Sequence, residues 1–414
     1  MTDDRGVLPG ARIVVGVTGS IAAYKAAALV SLLVQAGAHV DVILSRGGRE
    51  FITETTFRGL TAGRVVSDPF DPSGRFPHLE LSSGADLLAV APASANSIAA
   101  LARGAAEDLV GLTALSTTSR LLVAPAMEAS MWQHPATQRN VAQLQRDGAH
   151  LAGPAAGYHA SGGTGPGRML EPVQLVGHIR LLLGQDGDLS GRRVVVTAGG
   201  TSEPVDDVRV LSNRSSGKMG TAIARAARDR GAKVTLVAAS ARPADDAGIE
   251  WRYAGTAEEM RSAVTEAATG ADILLMAAAV ADFRPAAVVE GKIHRSDGSA
   301  RIDLIPTADI VQSIATRQTR TPTRPTVVVA FAAETADLEQ RAREKLEKKH
   351  VDLVAANLVV GTALGGFGSE DNQLTIVGRD RDPERLPLMR KEQAAHYLLD
   401  RANELLEGAS ATAT

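Results

Sequence analysis

A short apolar run, a glycine-bearing turn and an alanine-rich helical stretch occur twice in this 414-residue chain, and few folds accept parts in that order. The first copy reads Arg12 to Val17 as a buried strand, Gly19-Ser20 as a turn, Ile21 to Gln35 as a helix and Ala38 to Leu44 as the next strand. The second reads Arg193 to Thr197, a Gly-rich turn, a helix from about Met219 to Arg230 and a strand at Ala232 to Val237. Gly37-Ala38 is matched by Gly231-Ala232, and Gly84-Ala85-Asp86-Leu87-Leu88 by Gly270-Ala271-Asp272-Ile273-Leu274. The sequence therefore predicts an α/β chain of two tandem doubly wound, Rossmann-like domains. Aromatic residues are only 3% of the chain, so the interiors must be built from closely packed Ala, Val, Leu and Gly, as where helices cover sheets. Gly, Asp and Ser cluster over Gly184 to Gly191, which places the domain boundary at about residue 187 and gives domains 1–187 and 188–414. Gly408 to Thr414, all small or polar, is expected to fray.

Charge narrows the partners. With 44 basic and 47 acidic side chains the net charge is -3, which pulls the chain toward neither nucleic acid nor anionic lipid. There is no cysteine, which excludes disulfides, thiolate metal sites, iron–sulfur clusters and any chemistry that needs the protein's own thiol. The nine histidines contain no i, i+4 pair, so no transition-metal site is supported. Apolar runs such as Ile273 to Ala281 fall far short of the ~18 to 20 residues that span a bilayer, and the acidic start Met1 to Asp4 is unlike a signal peptide. A soluble, cytoplasmic protein is expected.

Two turns could hold phosphate. Gly16-Val17-Thr18-Gly19-Ser20 joins a strand to a helix, where free N–H groups and the helix dipole favour an anion. Its spacing is not that of a dinucleotide fingerprint, and the second strand ends in Ser45 where a ribose-binding carboxylate would be wanted, so a mononucleotide such as FMN fits better than NAD. The alternative is that these glycines only let the turn pass close to the sheet. Asn213-Arg214-Ser215-Ser216-Gly217-Lys218 is not a Walker motif, yet its hydroxyls, glycine and lysine before a helix suit a triphosphate or phosphate ester; a solvated capping turn is the rival reading. Asp282 follows the apolar run Leu274 to Ala281, at the expected carboxyl end of a strand, where doubly wound sheets bind ligands.

Several ordered segments resemble the bifunctional phosphopantothenoylcysteine decarboxylase/phosphopantothenate–cysteine ligase family. They are Gly19-Ser20-Ile21-Ala22, Pro92 to Ser97, Pro125-Ala126-Met127 and Gly165 to Met169 in the first half, and Ala198 to Thr201, Ser212 to Gly220, Ala278 to Asp282, Phe331 to Thr335 and Phe367 to Asn372 in the second. The resemblance implies a flavodoxin-like FMN domain followed by a CTP-binding domain. It implies that the second half activates the carboxylate of 4'-phosphopantothenate with CTP and Mg2+, and that cysteine's amine attacks the acyl-cytidylate. Asp282, Lys292, Ala308, Asp309, Ile310, Val311, Phe331, Lys345 and Lys349 would then hold CTP, with Asn213 and Arg209 on the pantothenate part or the intermediate. Lys345, Lys348 and Lys349 have helical spacing, and Lys348 is read as solvated beside Glu344 and Glu347. The first half would oxidise and decarboxylate the cysteinyl product on FMN, held by Gly19, Ser20, Ser45, Ser94 and Asn96, with His78 as base and Met127 and Arg168 on the substrate. An imidazole, with an unperturbed value of about 6.5, suits such proton abstraction. Flavin sites of this family form between subunits, which implies a homo-oligomer.

Three positions depart from the family pattern. Glu128 stands where the family has an asparagine that binds the substrate carboxylate; it would serve if protonated by desolvation, if a cation bridged the two carboxylates, or if Asn96 took over the task. Ser161 stands where many relatives have a cysteine that returns electrons to the decarboxylated product, and serine cannot cycle through a disulfide. Lys292-Ile293-His294-Arg295 replaces a more lysine-rich run. Two other functions fit parts of the pattern: a paralogue that oxidatively decarboxylates a peptide's C-terminal cysteine to an aminoenethiol, and a scaffold that binds these ligands without turnover.

Overall fold

The computed structural model describes residues 5–70, 76–294, 301–316, 325–358, 368–379 and 381–411. The chain divides into two compact units, one of Gly6–Gly184 and one of Gln185 onward that also takes in Arg5. Arg5 stacks on the Tyr397 ring and pairs with Asp400.

In the first unit, strands β1 (Arg12–Val17), β2 (His39–Leu44), β3 (Val65–Val66), β4 (Leu87–Ala93), β5 (Arg120–Pro125) and β6 (His150–Leu151) form one sheet in the order β3-β2-β1-β4-β5-β6. Every pairing is parallel. A parallel sheet must be covered on both faces, and the alternation along β1 does this: Ile13, Val15 and Val17 join one apolar cluster and Val14 the other. The helix Ala23–Gln35 buries Ala26, Leu29, Val30 and Leu33 against the first of these faces. It begins two residues later than the sequence suggests, and Ile21 is 63% exposed before it. A hairpin of β7 (Ala155–Tyr158) and β8 (Thr164–Arg168) follows the sheet.

The second unit contains β9 (Arg193–Ala198), the hairpin β10 (Ser202–Pro204) with β11 (Val210–Ser212), then β12 (Lys233–Ala238), β13 (Ile249–Tyr253) and β14 (Ile273–Met276). The hairpin β15 (Phe283–Pro285) with β16 (Leu304–Pro306) precedes β17 (Val327–Glu334) and β18 (Leu353–Leu358). The chain ends with β19 (Asp371–Asn372), β20 (Thr375–Gly378), β21 (Glu384–Arg385), β22 (Met389–Arg390) and the helix Lys391–Ala411. The eight-stranded sheet has the order β13-β12-β9-β14-β17-β18-β20-β21, with β20 and β21 antiparallel at one edge.

The repeated Gly-Ala-Asp has the same job in both units. Asp86 accepts a hydrogen bond from the Arg12 N–H, and Asp272 from the Arg193 N–H, both at 2.7 Å, so each aspartate ties the start of one central strand to its neighbour. Gly37 and Gly231 close the preceding helices with positive φ, 87° and 85°, which a side chain would oppose.

Three sequence expectations need correction. The strand expected to run to Ala281 ends at Met276; Thr197 and Thr201 hydroxyls then accept the N–H groups of Ala278 and Ala281, so this apolar backbone is satisfied as a crossing loop. The second helix starts at Lys218, one residue early. The final helix continues through Ala411 rather than fraying from Gly408, because Ala-Ser-Ala supports another turn; 412–414 lie outside the described residues. Among the described residues no helix is long and apolar enough to cross a membrane.

Candidate functional site

The order of the first sheet reverses between β1 and β4, and the crevice at the carboxyl ends of these strands is where such sheets take ligands. Thr18 fixes its floor: its hydroxyl donates to the Pro92 carbonyl at 2.7 Å and accepts the Ser94 N–H at 3.0 Å. Gly19 packs on Gly47, where a Cβ on Gly19 would stand 3.2 Å from the Gly47 Cα. Ser20 accepts from the Ala22 N–H, Ser45 from Gly48 and Ser94 from Ser97, so these hydroxyls cap the turns that rim the crevice. Gly19, Ser20, Ser45 and Ser94 therefore come together after β1, β2 and β4. Asn96 is exposed on the first turn of the helix Ala95–Ala102.

Met127 and Glu128 follow β5, and the hairpin packs beside them: the Met127 N–H donates to the Gly167 carbonyl at 2.9 Å. Arg168 pairs with Glu171 at 3.5 Å, and the buried Lys25 also holds Glu171, at 2.7 Å. Glu128 caps the helix Ala129–Gln133 and accepts from the Ser130 hydroxyl and N–H. These hydrogen bonds, above all that of the Ser130 hydroxyl, hold its carboxyl below the ordinary range, with a smaller contribution from His159. Protonation by desolvation, one of the routes offered by the sequence, is thus opposed by the hydrogen bonds of the chain itself, which favour the anion. His159, buried in the hairpin with Nε2 3.1 Å from the Gly165 carbonyl oxygen, was not singled out by sequence reasoning. Ser161 is exposed between β7 and β8. His78 opens the helix Pro77–Ser82 and stands edge-on to Phe76, and its buried Nδ1 has no hydrogen-bond partner among the described residues.

The second sheet reverses between β9 and β14, and a cavity of about 410 Å³ opens at that point. Its wall comes from the turn Ser215–Gly220, the loop Met276–Asp282, the turn Thr307–Val311, Phe331 and the helix Leu338–Lys349. Gly217 enters the helix Lys218–Asp229 at φ 74°, and a Cβ there would meet the Ser240 hydroxyl at 2.8 Å. Asp282, Ala308, Asp309, Ile310, Val311, Phe331, Lys345 and Lys349 all line the cavity, although Asp282 sits in the crossing loop and not directly at a strand end.

Lys345 donates to the Phe331 carbonyl at 2.6 Å; burial lowers its proton affinity, opposed by the charges of Glu334 and Asp282. Lys349 pairs with Asp309, which also caps the helix Ile310–Ala315. Lys348 is exposed, as expected. Lys218 and Lys391 complete the basic lining, and Lys391 escaped sequence reasoning because it lies far along the chain with no motif around it. Four lysines against the two aspartates make the cavity an attractive place for a polyanion.

Asn213, Arg209 and Lys292 lie outside that lining. Asn213 reaches its edge, with Nδ2 donating to the Ala279 and Val280 carbonyls at 3.2 and 3.3 Å. Arg209 is held by Asp206 at 3.2 Å and donates to the Ile293 carbonyl at 2.9 Å. Asp206 also accepts from the Ile293 N–H; burial opposes ionisation, but backbone N–H groups of Ile293, Val208 and Arg209 hold its carboxyl below the ordinary range. This ties the Lys292-Ile293-His294 segment, with Lys292 and His294 exposed and Ile293 half-buried, to the β10–β11 loop, while Arg295 lies outside the described residues.

Residues 2–184 match the Flavoprotein family model, and residues 189–406 match the DNA/pantothenate metabolism flavoprotein C-terminal domain. The coenzyme A biosynthesis bifunctional protein CoaBC of Vibrio parahaemolyticus is 40% identical over 404 residues, covering 96% of this chain and 99% of that protein. CoaBC of Vibrio cholerae is 42% identical over 402 residues, with the same shares covered. A crystal structure of the C-terminal domain of a CoaBC protein aligns with a TM-score of 0.43 at 32% identity, covering 53% of this chain and 98% of that domain.

Proposed function

The chain belongs to the family of bifunctional coenzyme A biosynthesis proteins, and from that premise we propose how its two units divide the work. It is a bifunctional decarboxylase and ligase. Residues 188–414 join 4'-phosphopantothenate to cysteine at the expense of CTP, and residues 1–187 decarboxylate the product to 4'-phosphopantetheine. The observation that carries this reading is the lysine-lined cavity at the switch point of the second sheet, in a chain that covers 99% of the bifunctional protein of Vibrio parahaemolyticus.

In the second unit the substrate carboxylate attacks the α-phosphorus of CTP and pyrophosphate leaves. The amine of cysteine then attacks the acyl carbonyl and CMP leaves. Both steps concentrate negative charge, which Lys345 and Lys349 are placed to offset. The Ala308–Val311 turn and Phe331 shape the nucleotide's side of the cavity. Asn213, held at the edge by the Ala279 and Val280 carbonyls, is placed to orient the acyl group, and Arg209 and Lys292 act from the loops that Asp206 joins. Mg2+ typically binds through few carboxylates plus phosphate oxygens and water, so Asp282, which lines the cavity, would be the residue to hold it together with the CTP phosphates.

In the first unit the rim of Gly19, Ser20, Ser45 and Ser94 suits FMN: small residues admit a close approach, and turn N–H groups with hydroxyls suit its phosphate. FMN held there would supply a two-electron acceptor for oxidation of the cysteinyl thiol to a thioaldehyde, which eases loss of CO2 to an enethiolate. His78 has an unpartnered ring nitrogen with which to take a proton. Met127 and the Arg168 hairpin flank the carboxylate's side, Glu128 as a solvated anion needs a bridging cation there, and Asn96 offers an uncharged amide instead. Large exposed apolar side chains such as Ile21, Tyr24 and Phe51 support a homo-oligomer, and the compartment we propose for it is the cytoplasm.

The test is mass spectrometry of the product made by FMN-loaded protein from 4'-phosphopantothenate, cysteine, CTP and Mg2+ without oxygen, with the flavin spectrum recorded alongside. Catalytic formation of 4'-phosphopantetheine with oxidised flavin supports both halves. An aminoenethiol two hydrogens lighter, with reduced flavin, would restrict the first half to oxidative decarboxylation, which is the outcome Ser161 would favour. Absence of any CTP-dependent consumption of cysteine would overturn the ligase assignment.

A further inference from the structure

One strand of the first unit carries a charge where its neighbours are apolar. Val40, Val42, Ile43 and Leu44 of β2 are buried, as a strand covered on both faces requires, yet Asp41 among them is only 1% exposed. It alternates onto the face that Ile43 shares with Leu81. An apolar side chain would cover the sheet at less cost, because a buried carboxylate is expensive unless cations and N–H groups surround it. Here they do. Oδ1 accepts the Arg64 N–H at 2.7 Å, Oδ2 accepts from the Arg12 guanidinium at 3.3 Å, the Arg64 guanidinium stands 3.8 Å away, and His39 faces Oδ1 at 3.6 Å.

Both guanidiniums reach on to one target, the end of the helix Pro77–Ser82. Arg12 donates to the Glu80 carbonyl at 2.8 Å and to the Ser83 carbonyl. Arg64 donates to the same Glu80 carbonyl at 3.0 Å and pairs with the Glu80 carboxylate. Cations suit the last carbonyls of a helix, which have no partner within it. Six residues are too few to hold a helix by themselves, so this one depends on such anchors and on its buried Pro77 and Leu81. His78 is its second residue. The Nδ1 of that ring has no hydrogen-bond partner among the described residues, so no bond to this nitrogen orients it, and the helix must place it.

We propose that Asp41 is a positioning residue for His78: it gathers Arg12 and Arg64 into a clamp that fixes the helix Pro77–Ser82, and with it the place of the ring. The inference rests on the reading of His78 as the proton acceptor of the first unit. Asp41 sits near the amino end of β2, whereas the crevice lies at the carboxyl ends of the strands, so it acts through the clamp and not on the substrate. A base held out of line slows proton transfer without loosening the substrate, so the clamp is read in kcat and not in KM.

The test uses the full-length protein loaded with FMN. Its readouts are decarboxylation kinetics, flavin content and the NMR signals of isotope-labelled histidines, with the His78 signal identified by its loss in His78→Gln. Asp41→Asn keeps an oxygen for the Arg64 N–H but removes the charge that gathers the guanidiniums. It should lower kcat by about 10- to 100-fold, leave KM within threefold, leave flavin content and ligase turnover unchanged, and shift the His78 signal. Arg64→Gln, at a more exposed side chain, should show the same pattern in weaker form. Since both act through one clamp, the double variant should lose less than the product of the two single losses. A purely structural role predicts the opposite split: lower flavin content and melting temperature, with kcat per bound flavin and the His78 signal unchanged. That result would overturn the proposal, and should Asp41→Asn fail to fold, Arg64→Gln decides by the same readouts. If the wild-type protein decarboxylates nothing, it is the reading of His78 as base that fails. The NMR signal then decides the clamp, since it must still move in Arg64→Gln for the proposal to stand.

Discussion

At the scale of single residues, the fold sets charge states that the sequence leaves open. His150 is half-buried, with Nε2 2.8 Å from His178 Nδ1, and burial lowers its proton affinity. An unfolded chain takes up that proton at about pH 6.5, before the folded one does, so the stability that neutral His150 contributes is present above that pH and is lost as pH falls. The melting temperature should therefore fall between pH 7.5 and 5.5, and His150→Gln should make that fall shallower; an equal slope in the variant would show that another group is responsible. Glu128 gives the contrasting lesson. The sequence leaves its protonation open, and the Ser130 hydroxyl and N–H, placed by a helix start, are the main groups that favour the anion. Glu128→Asn should accordingly lower the KM of the decarboxylation substrate by several-fold by removing a charge that repels its carboxylate, measured from the rate of CO2 release. Most residues that line the second unit's cavity could be named from the sequence because they sit in short motifs at turns after strands. Lys391 was not, since only the packing of the last helix on Lys218–Asp229 brings it there.

At the scale of elements, the repeated grammar was legible to within a residue or two because strand, turn and helix each leave a local signature. The misjudged end of β14 came from a run of alanines, whose burial looks the same in a strand as in a crossing loop; the decisive acceptors, Thr197 and Thr201, lie some eighty residues earlier. The helix Lys218–Asp229 owes its depth to Gly220, where a Cβ would stand 2.4 Å from the Thr197 carbonyl oxygen. Gly220→Ala should push this helix off β9, cost about 1–3 kcal/mol and raise the KM for CTP, since the same helix start lines the cavity. Thr256→Ala removes one half of the capping box that Thr256 and Glu259 form at the helix Ala257–Ala267, away from the cavity. It should cost about 1 kcal/mol and leave that KM unchanged. Thermal melts paired with ligase kinetics distinguish loss of packing at the site from loss of stability alone.

At the scale of the whole molecule, each unit has apolar clusters on both faces of its own sheet, so each satisfies the condition for folding as a separate body. Calorimetry should resolve two unfolding transitions. CTP at about 100 times its dissociation constant should stabilise one of them by about 2.7 kcal/mol and leave the other in place, and FMN should do the converse. A single transition moved by both ligands would contradict independent cores. The division into two units was visible in the Gly- and Ser-rich stretch after Gly184, whereas the attachment of Arg5 to the last helix was not, because it depends on the ring of Tyr397 and the carboxylate of Asp400. The exposed tip between β7 and β8 has a practical use as well. Since the chain has no cysteine, Ser161→Cys would give the protein one thiol, on an exposed surface turn. A fluorophore or spin label attached there would be uniquely addressed, and its mobility would report directly on the hairpin as substrates are added.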